Sequence, residues 1–261
     1  MGCTDIVKKA LNASTVAHAE EIQKMIEDEV GARYQRPLAD KWNNQGLITG
    51  SGGSFDYKLL ENVTNMQDAL IEKELLAKYG ALENLPFQTP AEAAEQLFQG
   101  RQYKDIGDCV TVEFRESDPP TKETKCLTAV FRDKGCGMTP AQIPDTIFQV
   151  GGNHKTELLW EQGAYGLGGA MTYRNARAVV LVTRRYPAIL EAGEPDRIAV
   201  AVLLWRQFRK IGGLYYLVTQ PWEKAGDIAE PYSISASELP EFEPGTHLAL
   251  ISYGVEGYHR A

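Results

Sequence analysis

The sequence predicts an α+β fold in which helices cover one face of a largely antiparallel sheet. Three observations carry this. Apolar residues recur at helical spacing in the N-terminal third. The period changes to two near residue 110. The element order then runs hairpin, helix, glycine-rich loop, helix and a series of strands. With 261 residues, 43% of them hydrophobic and 24% charged, the chain has ordinary globular composition. No linker is evident. We expect one domain, with residues 1–53 as an N-terminal helical extension of the main body at 54–261.

Each element has its own signal. Residues 15–30 read as a helix, with Ile22, Met25, Ile26 and Val30 on one face. A polar, glycine-rich passage ends in Gly50-Ser51-Gly52-Gly53. Residues 54–79 read as a long helix, with Ser54 as N-cap, Asp56 in the first turn and Gly80 as the stop. A short helix is expected from Pro90 to Phe98. Val110, Val112 and Phe114 alternate with Thr111, Glu113 and Arg115. This strand and one over 126–132 form an antiparallel hairpin across the polar loop 116–125. Helices are expected at 140–149 and 169–175, and further strands at 178–186, 196–205, 213–219 and 246–252.

Composition excludes several classes. It is not that of a disordered tail, a collagen-like repeat or a disulfide-stapled miniprotein. No run approaches the ~18 apolar residues of a membrane span, and the first residues lack an apolar signal core. Cys3, Cys109, Cys126 and Cys136 share no CxxC spacing. They read as reduced cytoplasmic thiols and not as a zinc site. The net charge of −8, from 27 basic against 35 acidic residues, argues against direct nucleic-acid binding through a basic face.

Four features carry chemistry. On helix 54–79, with Glu61 at 0°, Asn65, Asp68 and Glu72 fall within ~40° of it, opposite Leu59, Val63, Met66 and Leu70. The plain reading is a solvated stripe. The chemical one is a metal and water site, because Asn offers a neutral oxygen to Mg²⁺ and Glu can take a proton from water. The second feature is the turn Asp133-Lys134-Gly135-Cys136-Gly137-Met138 after a strand. Its glycines let backbone approach a flat ligand. Thr139, Pro140 and Gln142 follow it as a helix start. Third, Gly163–Gly169 precedes a helix through Ala170 and Met171, where backbone N–H groups can meet an anion. It fits neither the dinucleotide fingerprint nor a P-loop. The fourth is Gly245-Thr246 opening a late strand.

Together, in this order, these features resemble the GHKL superfamily, which includes gyrase, the ninety-kilodalton heat-shock chaperones, histidine kinases and MutL. Glu61–Ala69 is similar to the family's ExxxNxxDA helix, Asp133–Met138 to its DxGxGM turn and Gly163–Gly169 to its second glycine box. The motif pattern lies nearest the chaperone, gyrase and MutL branch. The resemblance implies a Bergerat-type α/β sandwich holding ATP and Mg²⁺. It implies that Glu61 activates water and Asn65 holds the metal. Asp133 would accept from the adenine amino group and Thr246 would support it. Gly135, Gly137 and Met138 would line the base. Gly166, Leu167, Gly168 and Gly169 would meet phosphates, with Asp68 in a supporting role. Residues 150–165 would form a lid hinged at Gly151-Gly152, with Lys155 in reach of a phosphate.

The implied activity is slow ATP hydrolysis, coupled to lid closure and nucleotide-dependent homodimerisation. A further domain or partner protein would complete the γ-phosphate site, since Thr246 stands 15 residues before residue 261. Residues 1–53 would serve either as an exchanged arm or as helices packed on the domain. The alternatives are a histidine-kinase-type phosphotransfer domain and a nucleotide-binding sensor without turnover. Glu61 with Asp68-Ala69 speaks against the kinase, as does His18, which lacks the acidic neighbour that a phosphoacceptor usually has.

Overall fold

A computed structural model describes residues 2–31, 33–42, 44, 55–80, 82, 85–87, 89, 90–101, 107–117, 126–149, 172–173, 176–208, 211–224 and 229–254. Four α-helices are described: α1 (Cys3–Leu11), α2 (Val16–Val30), α3 (Phe55–Tyr79) and α4 (Pro90–Phe98). The strands are β1 (Tyr34–Pro37), β2 (Val110–Glu116), β3 (Cys126–Asp133) and β4 (Ala178–Arg184). Then come β5 (Arg197–Phe208), β6 (Ile211–Val218), β7 (Tyr232–Ser235) and β8 (Gly245–Gly254). All eight strands form one sheet in the order β1-β6-β5-β4-β8-β3-β2, with β7 beside the first half of β5. Every described pairing is antiparallel. The α+β class and the antiparallel sheet are as expected.

Alternation along the strands divides the interior in two. Ala129, Phe131, Val179, Leu181, Ala199 and Leu203 face one core, which Met66 of α3 joins. Val130, Ala178, Val180, Val182, Ile198 and Val200 face the other, together with Ile6, Val7 and Ala10 of α1 and Ile22 and Ile26 of α2. Helices therefore cover both faces, which corrects the expectation of one. The central strands are apolar on both sides, so each face needs its own cover. The N-terminal extension supplies that second cover, and through β1 it also adds an edge strand beside β6. Among the described residues no helix is long and apolar enough to cross a membrane.

Local chemistry fixes the helix ends. Thr15 accepts from the His18 N–H at the start of α2, and Thr89 from the Glu92 N–H at the start of α4, where Pro90 takes the first turn. Helix α3 ends at Gly80 as expected, while its proposed cap, Ser54, lies outside the described residues. The helix expected at 140–149 is instead a chain of turns. Gln142 does return its side chain to the Thr139 N–H, at 3.0 Å. Pro144, one turn in, has no N–H to give and its ring crowds the carbonyl four residues back. Backbone bonds then span three residues at Asp145 and five at Phe148, so no regular helix propagates. Of the helix expected at 169–175, only Thr172 and Tyr173 are described before the chain resumes at Ala176.

Candidate functional site

Strand parity decides where Asp133 goes. It follows Ala129 and Phe131 on the α3 side of β3, and Thr246 stands opposite it on β8. Thr183 on β4 stands opposite Thr246 in turn. An acid and two threonines thus form a row across the ends of three neighbouring strands, beneath α3. Asp133 Oδ1 accepts from the Gly135 N–H at 2.9 Å, and the carboxylate also accepts from the Thr246 N–H. Burial still outweighs these bonds and the nearby Lys73, and it pushes the carboxyl up to about 7. An N–H donor from a ligand would favour the ionised form.

The turn after Asp133 is clamped from two directions. On the α3 side, the Cys136 N–H donates to the Ala69 carbonyl at 3.0 Å. A β-carbon at Gly135 would lie 2.7 Å from both the backbone and the Cβ of Ala69. Lys73 Nζ donates to the Lys134 carbonyl at 2.7 Å. From the other side, the Thr183 hydroxyl accepts from the Met138 N–H at 3.1 Å and donates to the Gly245 carbonyl at 2.9 Å. The Tyr186 N–H reaches the Cys136 carbonyl at 2.8 Å, and Arg185 reaches the Gly137 carbonyl at 3.0 Å. Arg185 also pairs with Glu72 of α3 at 3.5 Å. Gly137 has φ 58°, and a side chain there would overlap the Arg184 carbonyl. The turn is therefore held in place before any ligand arrives.

The polar stripe of α3 is not a solvated face. Asp68 is 3% exposed, and Glu61, Asn65 and Glu72 are half-buried. Asn65 stands one turn, and Glu61 two turns, N-terminal to the Ala69 contact, ~6 and ~12 Å along the helix axis. Met138 is half-buried against the same core as Phe131 and Leu248, and the Thr146 hydroxyl approaches its sulfur at 3.1 Å. The structure thus gathers Asp133, Gly135, Gly137, Met138 and Thr246 around one turn that rests on Ala69, with Asp68, Asn65 and Glu61 on the helix that borders it. Lys155, Gly166, Leu167, Gly168 and Gly169 lie outside the described residues, as does the expected lid.

Three residues of this site carry no linear signal: Thr183, Arg185 and Lys73. Thr183 is the hydroxyl that ties the turn to β8, yet in sequence it is one polar residue ending an apolar strand. Only the cross-strand register shows its role. No protein-family model matches the chain, and no curated protein matches it.

Proposed function

We propose that the chain binds ATP with Mg²⁺ and hydrolyses it, in the manner of the GHKL superfamily. The supporting observation is convergence. The helix motif, the aspartate–glycine turn and the late Gly-Thr strand are far apart in sequence and meet around Asp133. A chance set of motifs has no reason to interlock through Ala69, Gly135 and Thr246. Asp133 accepts from the adenine amino group, with its other contacts already filled by backbone N–H groups. Glu61, half-buried two turns along α3, takes a proton from the attacking water. Asn65, whose side chain offers a neutral oxygen, is the residue to hold Mg²⁺, and the ion's charge offsets that of the phosphates. Closure of residues 150–165 over the nucleotide and nucleotide-dependent pairing of two chains complete the reading.

Base selectivity tests it. Guanine presents a carbonyl oxygen where adenine presents its amino group, so the Asp133 carboxylate would face an acceptor. Such a mismatch costs ~1–3 kcal/mol, about ten- to a hundredfold in affinity. Calorimetry is expected to show ATP bound at least tenfold tighter than GTP, with the preference lost in Asp133→Ala. Equal affinities in the wild type would overturn the assignment of Asp133.

A further inference from the structure

The sheet ends at β2, on the far side of β3 from β8, and among the described residues β2 pairs with β3 alone. An exposed edge strand offers a row of unused backbone groups to another chain. Proteins usually blunt such edges with proline, charged side chains (lysine above all), a bulge or a short strand. Strand β2 uses only charge, in Glu113, Arg115 and Glu116, and two of these pair with each other. It runs seven residues, Val110–Glu116, without proline, glycine or lysine. Its register with β3 is continuous over all seven pairs, so it carries no bulge. Residues 111–114 are exposed on both faces of the sheet. Val112 (40% exposed), Phe114 (49%) and Leu127 of β3 (40%) form an apolar strip on the α3 side. On the opposite side stand Glu113 and Arg115, paired with each other at 3.0 Å.

The charge pattern selects the occupant. Two antiparallel copies of β2 related by a two-fold axis can centre on any residue. Centring on Glu113 or on Arg115 sets like charges directly opposite, which is destabilising. Centring on Phe114 sets each Glu113 opposite the other copy's Arg115, twice. It also stacks Phe114 on Phe114 on the apolar side. Aromatic and opposite-charge cross-strand pairs each stabilise a sheet by roughly 0.2–1 kcal/mol. We propose that β2 is a homodimerisation edge, pairing with β2 of a second copy in the register centred on Phe114 and joining two sheets into one. This pairing uses no nucleotide and does not depend on the ATP reading.

Sedimentation of the nucleotide-free full chain tests it. The wild type is expected at twice the 28.9 kDa of one chain. Phe114→Lys, an exposed substitution, is expected to give a monomer with unchanged circular dichroism. Glu113→Arg and Arg115→Glu are each expected to be monomeric, because each sets like charges opposite. Mixing these two single variants brings opposite charges together again and is expected to restore a dimer. That rescue separates lost pairing from lost folding. A monomeric wild type overturns the proposal. So does a dimer that survives Phe114→Lys, a failure of the mixed variants to pair, or a dimer that forms only with ATP.

Discussion

Two ionisable side chains, the half-buried Asp133 and the buried His247, set opposing pH dependences. Asp133 is raised from 3.8 to about 7, so the folded chain keeps a proton that the unfolded chain loses. His247 is lowered from 6.5 to about 3, chiefly by burial and then by Arg132, so the unfolded chain takes a proton that the folded chain refuses. Stability rises with pH wherever the unfolded state binds more protons. From His247 alone, stability is full above 6.5 and falls as pH drops towards 3. From Asp133 alone, stability is greatest below 3.8 and falls as pH rises through 7. Between 4.5 and 6.5 the two cancel, because each state holds one proton of the pair. Glu113 and Glu243, held low by Arg115 and Lys134, act only below 4.5. Asp133→Asn is therefore expected to make stability rise with pH across that window, by up to ~1.4 kcal/mol per pH unit. Urea unfolding at several pH values checks this, and a variant as flat as the wild type would contradict it. If Asp133 holds adenine as proposed, the same carboxyl links binding to pH, because that contact needs the ionised form. ATP affinity is expected to fall about tenfold per pH unit below 7.

On the proposed reading, helix α3 carries three tasks at helical spacing. Ala69 seats the turn, Asn65 comes one turn earlier and Glu61 one turn earlier still. This order explains why the motif was legible in sequence. A helix fixes the spacing of its own residues, so chemistry placed along it leaves a linear pattern. The Asp133–Met138 turn was legible for a related reason, since consecutive residues make it. Thr183 and Arg185 were not, because their partners lie on β8, on the turn and on α3. The four-residue strands β1 and β7 were too short for alternation to show, and a sequence pattern cannot say which face of a sheet a helix will cover. The start signal at Thr139 and Pro140 predicts a helix over 140–149, but Pro144, one turn in, stops it. If α3 divides its tasks as proposed, its substitutions separate. Glu61→Ala is expected to lower turnover by ~10²–10⁴ with ATP binding retained. Asn65→Ala is expected to weaken Mg²⁺-dependent ATP binding instead. Single-turnover hydrolysis beside calorimetry with and without Mg²⁺ reads both, and wild-type turnover in Glu61→Ala would leave Glu61 as a helix residue only.

At the scale of the whole molecule, the sheet is a shared wall between two cores, and the N-terminal helices close the side away from α3 and the Asp133 turn. Ile6, Val7 and Ala10 of α1 and Ile22 and Ile26 of α2 are buried on that side. Polar ties reinforce them. Arg115 donates to the Leu11 carbonyl at 3.0 Å, and the Thr128 hydroxyl to the Ser14 carbonyl at 2.6 Å. These contacts run to the chain's own sheet, which favours helices packed on the domain over an exchanged arm. The two arrangements differ in mass action. A segment packed on its own sheet contributes the same stability at any protein concentration, whereas an exchanged segment contributes only when chains pair. Ile22 has no exposed surface, so Ile22→Ala removes buried methyl groups and leaves a cavity, a loss of ~2–5 kcal/mol. Urea unfolding of wild type and Ile22→Ala over a wide range of protein concentration is expected to give that loss unchanged throughout. A loss that appears only at high concentration would mean that α1 and α2 serve a neighbouring chain.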